Sequence, residues 1–200
     1  LVCLFLGTLA LTAIGSLTAA IERELESRGG ELLGGDLQVS VWQRGLSDEE
    51  RRALANNGVL SEGVRLQAMA RRGDMAVPIE LKAVDAAYPL YGALTLADGR
   101  SVGSPRQGEA WLSQDAADRL GASRGARLAI GTTTVTVGGI IANEPDRLGE
   151  GFQLGPTVIV AAGLPAEAGL LAPGSMYRTK VRVKLTSGQS PETVEDAFLE

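Results

Sequence analysis

The sequence predicts an α+β protein: one N-terminal transmembrane helix with an amphipathic stalk, then a mixed α/β domain with a β-rich part. Three observations carry this. Leu1 to Ile21 contains no charged side chain, and a helix crosses a bilayer with roughly 20 apolar residues. Leu17, Ile21, Leu25 and Leu32 then recur at helical spacings through a stretch that also holds Glu22, Arg23, Glu24, Glu26 and Arg28. From Asp36 onward, runs with the period of two that marks strands alternate with short, capped helix signals.

Two other readings of the first segment stand beside the membrane helix. A cleaved signal peptide could use Thr18-Ala19-Ala20 as its small-residue site, but no basic residue precedes the run. A buried helix of a soluble protein would normally alternate apolar and polar faces, and this one does not. The stalk weakens at Gly29-Gly30 and is expected to end at Gly34-Gly35. It reads either as a solvated helix end or as a lever joining the membrane helix to the domain.

The domain elements follow in order. Leu37, Val39 and Val41 alternate with Gln38 and Ser40, a half-buried strand. Ser47 with Glu50 three residues on is a capping box, opening a helix that runs to about Ala55. Val64–Ala70 and Met75–Val84 are strands, and Gly73-Asp74 between them is a hairpin turn. The same residues spell Arg-Gly-Asp, but turn chemistry accounts for them fully. Leu94–Leu96 is a short strand, Ala97–Arg100 a turn, and Ser101–Gly108 a polar loop. Glu109–Leu112 is a strand, and Ser113 caps a helix over Gln114–Leu120 that Gly121 ends. Arg127–Ile130 and Thr133–Ile141 form a hairpin across Gly131-Thr132. Thr157–Ala161 is a strand and Leu164–Gly169 a short helix. In the last strand, Tyr177, Thr179, Val181, Val183 and Leu185 oppose Arg178, Lys180, Arg182 and Lys184. Pro191 opens a helix interrupted at Glu200. The expected organisation is a transmembrane helix at 1–21, a stalk at 22–35, a domain at 36–186 with a subdomain break near 97–108, and the start of a truncated helical segment at 187–200. The start at Leu and the interrupted last helix suggest a fragment, with further membrane helices beyond it.

Composition narrows function. The formal net charge is −5, and all of it lies after Ile21, which argues against nucleic-acid binding. There is no histidine, which removes Ser-His-Asp and Cys-His nucleophile systems and His-ligated zinc. Cys3 is the single cysteine, so no disulfide forms within the chain. Neither a phosphate loop nor a Gly-x-Ser-x-Gly elbow is present. Asp85, Glu144 and Asp146 occupy loop-like positions, where acids are more often solvated or turn-capping than catalytic. Glu144-Pro145-Asp146-Arg147 opens a Gly-containing loop running to Leu154, of the kind that carries partner contacts. Val39, Trp42, Tyr88 and Tyr91 could line an apolar surface for a lipid-like cargo, or belong to the core.

The order of these elements resembles the start of an FtsX/MacB-type ABC transporter permease, in its YbbP-like branch. The sharpest match is Leu81-Lys82-Ala83-Val84-Asp85-Ala86-Ala87-Tyr88-Pro89-Leu90-Tyr91-Gly92, which is similar to that branch's KAVD-x-x-YPLYG segment. Gly108–Leu112 followed by Arg119-Leu120-Gly121 fits, as does Ile141–Arg147 ahead of a Gly-rich loop. The resemblance implies a first transmembrane helix plus a MacB-like periplasmic core domain, in the bacterial cytoplasmic membrane with residues 36–200 on the periplasmic side. It implies a non-catalytic subunit that binds no cofactor itself, ATP being used by a separate ABC ATPase. Expected partners are that ATPase, a second permease copy, membrane lipid around 1–21 and a periplasmic partner. The expected cargo is hydrophobic or lipid-linked. The alternative class is a single-pass, membrane-anchored binding, adaptor or sensor domain. The residues expected to couple motion or contact partners are Gly29, Gly30, Gly34, Gly35, Tyr88, Tyr91, Glu144, Asp146 and Arg147.

Overall fold

A computed structural model of the chain describes residues 34–147 and 155–186, with positions 189, 191 and 194. The membrane helix and stalk expected over 1–33, including Gly29 and Gly30, lie outside these residues. Among the described residues, no helix is long and apolar enough to cross a membrane.

Local signals set most of the elements. Strand β1 (Leu37–Trp42) has the burial alternation its sequence implies. Helix α1 (Asp48–Ala55) starts at a complete capping box: Glu50 N donates to Ser47 Oγ, and Ser47 N donates to the Glu50 carboxylate. Strands β2 (Gly58–Arg72) and β3 (Met75–Val84) form a hairpin across Gly73-Asp74, where Gly73 has φ +58. Next come β4 (Leu94–Leu96), β5 (Ser101–Val102) and β6 (Glu109–Leu112). Helix α2 (Gln114–Leu120) is capped by Ser113 and ended by Gly121 in the left-handed conformation. Strands β7 (Arg127–Ile130), β8 (Thr133–Asn143) and β9 (Thr157–Ala161), helix α3 (Leu164–Glu167) and strand β10 (Tyr177–Leu185) complete the order.

Several strand and helix ends shift by two residues, and two boundaries differ more from the sequence expectation. Strand β2 begins six residues before Val64, because Gly58–Leu66 pairs along the whole of β10. The loop expected over Ser101–Gly108 begins with β5, whose Ser101 and Val102 pair with Thr95 and Leu94.

The sheet order is β1-β10-β2-β3-β9-β6-β8-β4-β5, and β7 pairs with both β2 and β8. The pairings β2–β3, β3–β9, β9–β6, β6–β8, β8–β7 and β7–β2 therefore close into a ring. Closure removes the free edges that an open sheet would expose. The ring is filled by Leu66, Ile79, Leu81, Leu128, Ile130, Val135, Val158 and Val160, with Ala116, Ala117 and Leu120 of α2.

Strand β2 serves two units. Its end lies in the ring, and its beginning belongs to a sheet with β1 and β10. On one face of that sheet, α1 packs Leu54 against Val181 and Val183. The other face carries the charged side chains of β10. Beyond it, Val84, Tyr88, Leu94, Leu96, Trp111 and Ile159 form a third apolar cluster.

Candidate functional site

Much of the charged face is buried. Lys82 is 2% exposed, Lys180 5% and Arg182 6%. Burying a charge costs several kcal/mol unless it is paired and hydrogen-bonded, and the loop Glu144-Pro145-Asp146 supplies partners. Lys82 Nζ donates to Glu144 Oε1 at 2.6 Å and to both oxygens of Asp146 at 2.8 Å. The Tyr88 hydroxyl accepts from Lys82 at 3.1 Å and donates to Asp146 Oδ1 at 2.7 Å. Arg182 Nη1 lies 2.8 Å from Asp146 Oδ2. The Lys82 ammonium also stands 4.6 Å from the centre of the Tyr88 ring, a cation–π geometry. Two carboxylates thus face two cations around one phenol. Burial, then the charges of Asp146 and Glu144, push the Tyr88 phenol far above its usual range. It stays neutral and keeps its proton for Asp146.

The loop is clamped by shape as well as charge. Gly92 has φ +68, and a Cβ there would lie 2.8 Å from Pro145 Cβ. Gly34 has φ +74, and a Cβ there would lie 2.8 Å from Asp146 Cβ and 3.2 Å from Arg182 Nε. A Cβ on Gly35 would meet Arg182 Cβ at 3.0 Å. The two glycines let the backbone pass directly over Arg182 and Asp146 before it turns into β1.

Asp36 secures that turn. Its backbone N–H donates to Val183 O, and its carboxylate accepts from Leu185 N at 2.8 Å and from the Tyr91 hydroxyl at 2.8 Å. The Lys184 ammonium stands 4.6 Å from the centre of the Tyr91 ring. Burial and the Asp36 carboxylate raise the Tyr91 phenol to about 12. The folded state holds this group neutral. Its contribution to stability is therefore intact below pH 10, the usual tyrosine value, and is lost as pH rises to about 12. The tyrosinate absorbance of the protein minus that of Tyr91→Phe should titrate near 12; a difference curve centred at 10 would count against the Asp36 bond.

Six of the nine expected residues, Gly34, Gly35, Tyr88, Tyr91, Glu144 and Asp146, therefore meet at one junction. Arg147 is exposed, next to it, on a cleft of about 370 Å³ also lined by Ser113, Asp115, Glu144 and Thr157. Gly29 and Gly30 are outside the described residues. The expectation that Glu144 and Asp146 are solvated is overturned, because each pairs with Lys82. Asp85 is turn-capping as expected: it accepts from Ser61 Oγ, Glu62 N and Ala87 N. Of the two readings of Val39, Trp42, Tyr88 and Tyr91, an apolar surface or the core, the four do not form one apolar surface. Val39 faces the α1 side, Trp42 is 61% exposed beside Arg178, and Tyr88 is buried in the ion cluster.

Lys82, Arg182 and Asp36 were not among the expected site residues. In sequence Glu80 and Lys82 alternate with Ile79, Leu81 and Ala83, the pattern of a strand with one polar face, so nothing local marks Lys82 as buried. The space left among Arg65, Lys82, Tyr88, Lys180 and Arg182 is about 10 Å³. That is at most one water, so the cluster is a joint and not a ligand pocket. Among the described residues, no group of His, Cys, Asp and Glu could hold a metal ion.

Comparison with known proteins bears on what such a joint serves. The family model described as the MacB-like periplasmic core domain matches residues 1–200. The chain is 26% identical over 177 residues to YbbP, an uncharacterized ABC transporter permease of Escherichia coli (strain K12). That match covers 86% of this chain but 21% of YbbP, so the chain spans about a fifth of that relative. Two solved structures share the fold. The extracellular domain of the noncanonic ABC-type transporter YknZ from Gram-positive bacteria aligns with a TM-score of 0.52 at 15% identity, covering 76% of this chain and 77% of that one. The periplasmic region of MacB from Actinobacillus actinomycetemcomitans aligns with a TM-score of 0.52 at 11% identity, covering 82% of each.

Proposed function

The chain belongs to the family of MacB-like periplasmic core domains, and on that premise we propose that it is the extracytoplasmic part of an ABC transporter permease subunit that works by transmitting motion. Residues 1–21 cross the cytoplasmic membrane, residues 22–35 form the stalk, and residues 36–186 form the periplasmic domain. ATP is bound and hydrolysed by a partner ATPase in the cytoplasm, and two permease copies move together. The cargo is hydrophobic or lipid-linked and is exported or extracted on the periplasmic side.

The observation that carries this reading is the joint at Gly34–Asp36. A segment meant only to tether a domain needs no fixed angle to it. Here the backbone is pressed onto Arg182 and Asp146, and Asp36 is bonded to both β10 and Tyr91. Asp146 in turn holds β3 through Lys82 and β10 through Arg182. Movement of the stalk would therefore be delivered to both strands without slack. Buried ion networks have several fixed partners and resist bending in a way that an apolar contact does not.

Two measurements on the full-length protein test the proposal. Affinity purification in mild detergent should retain an ATP-hydrolysing subunit; its absence would favour the single-pass sensor or adaptor. With Cys3→Ser as background, a spin label at Met176→Cys, a position 72% exposed, reports the separation of the two copies. Trapping the ATPase in its closed state should shift that separation. An unchanged distance distribution would overturn the mechanical reading.

A further inference from the structure

The two ends of the sheet path are built differently. At one end β5 is two residues long, a short edge that offers little to pair with. At the other, β1 runs for six residues without a charge, a proline or a break in register. Charge, proline and bulges are the devices that normally blunt an edge strand, and β1 has none of them. Among the described residues it pairs with β10 alone. Gln43 N donates to Tyr177 O across that pair. Antiparallel bonding alternates residue by residue. Leu37, Val39 and Val41 therefore bond to β10, and Gln38, Ser40 and Trp42 turn their N–H and C=O groups outward. All three of these residues are exposed, Trp42 to 61%.

The outward groups are self-complementary. Two copies of β1 set antiparallel about a two-fold axis at Ser40 place Ser40 opposite the partner subunit's Ser40, and Gln38 opposite the partner subunit's Trp42. In that register Gln38, Ser40 and Trp42 each donate once and accept once. On the other face Val39 stands opposite the partner subunit's Val41. Val39 and Val41 are half-buried against the α1 side, so the apolar layer becomes continuous across the two copies. Like charges directly opposite destabilise a strand pair, and β1 carries no charge to oppose its own copy. The pairing consumes the edge, so the assembly closes at two copies.

We propose that β1 is the contact between two copies of this chain, paired edge to edge about Ser40. The inference rests on the transporter reading for what brings the copies together. One short strand pair buries less than a stable interface needs, and subunits held in one membrane meet at high effective concentration. The geometry suits that arrangement. At Gly34 and Gly35 the chain enters β1 against Arg182 and Asp146. That face also carries Gln38, which lies opposite Arg182. A two-fold axis perpendicular to the sheet keeps this face on one side in both copies, so both chains enter from the same side. Movement delivered to β10 then reaches the second copy through a single strand.

Disulfide trapping in the full-length protein, in a background freed of other cysteines and carrying Cys3→Ser, tests the register. Opposed α-carbons of a hydrogen-bonded antiparallel pair lie about 5.5 Å apart, within disulfide reach. Ser40→Cys should therefore give a covalent dimer under mild oxidation. Gln38→Cys or Trp42→Cys alone should not, because each lies four residues, about 14 Å, from its own copy. Together in one chain they should. Absence of the Ser40→Cys dimer, or equal trapping at all three positions, overturns the pairing, as does a Ser40→Cys adduct with a different protein in place of the dimer. Ser40→Pro gives a second reading. It removes an outward N–H and no bond to β10, so in the protein with both Gln38→Cys and Trp42→Cys it should cut trapping about tenfold while thermal unfolding shows the domain still folded. Undiminished trapping would mean that the backbone pairing does not form. The transporter reading is scored separately, by the ATP-hydrolysing subunit that co-purifies. A retained subunit without the Ser40→Cys dimer sinks the contact alone.

Discussion

Asp146→Ala should lower the melting temperature of the domain by on the order of 10 °C. Asp146 is 1% exposed, and its carboxylate serves Lys82, Tyr88 and Arg182 together. Its removal takes a buried carboxylate away from two buried cations, Lys82 and Arg182. Breaking a buried ion network by deleting one partner costs about 3–5 kcal/mol. A domain of this size moves about 2–4 °C for each kcal/mol. Asp146→Asn should cost less, since the amide oxygen can still accept from Tyr88 or Lys82. Lys82→Met also destabilises alone. The double variant Lys82→Met with Asp146→Asn should lose clearly less than the sum, because it removes one positive and one negative charge and leaves Glu144 and Arg182 in balance. Thermal unfolding of the four proteins followed by circular dichroism measures this. Additive losses would mean that the two side chains contribute independently and that the network is not a unit.

The fold was legible where the deciding interaction is short in sequence. Ser47 and Glu50 are three residues apart, and both capping hydrogen bonds form. Ser113 and Gly121 bracket α2 in the same way, and the Gly73-Asp74 turn fixes the β2–β3 register. The first part of β2 was not legible. Gly58, Ser61 and Gly63 give no alternation, and the segment is a strand because β10, more than a hundred residues later, pairs with it. The candidate site shows the same division. Six of its residues were marked by position or by resemblance to a family motif, but the contacts among them were not. Glu144 and Asp146 reach Lys82 across 62 and 64 residues, and in sequence they look like ordinary loop acids. The alternation of β10 gave the strand but did not say whether its charged face is buried. Period-two patterning separates two faces, but which face meets water depends on what packs over it. Nothing local to Arg178–Lys184 carries that information.

Gly34→Ala should cost more than an equivalent change at any open turn, and the comparison isolates the joint. Gly34 and Gly73 have φ of +74 and +58, so an L side chain is strained at both. At Gly73 nothing lies within 4 Å of the added Cβ, and the cost there is the backbone term, about 1 kcal/mol. At Gly34 the new Cβ would lie 2.8 Å from Asp146 Cβ, with Arg182 Nε and Cδ at 3.2 and 3.3 Å. The Asp146 Cβ is not the free end of a flexible chain. It is held by the bonds its carboxylate makes to Lys82, Tyr88 and Arg182. Relief therefore requires the backbone at Gly34 to lift or the ion cluster to rearrange. Overpacking of this kind adds about 1–3 kcal/mol, so the Gly34→Ala loss should be two to four times the Gly73→Ala loss. In Asp146→Ala the clash partner remains but its anchoring bonds are gone, and the added cost of Gly34→Ala should shrink. In the full-length protein, Gly34→Ala should weaken the ATP-dependent change in separation at residue 176 while ATP hydrolysis continues. The Gly73→Ala protein should retain that change. Equal melting losses for the two glycine variants would show that Gly34 is only a turn residue, and the joint would then lose its steric half.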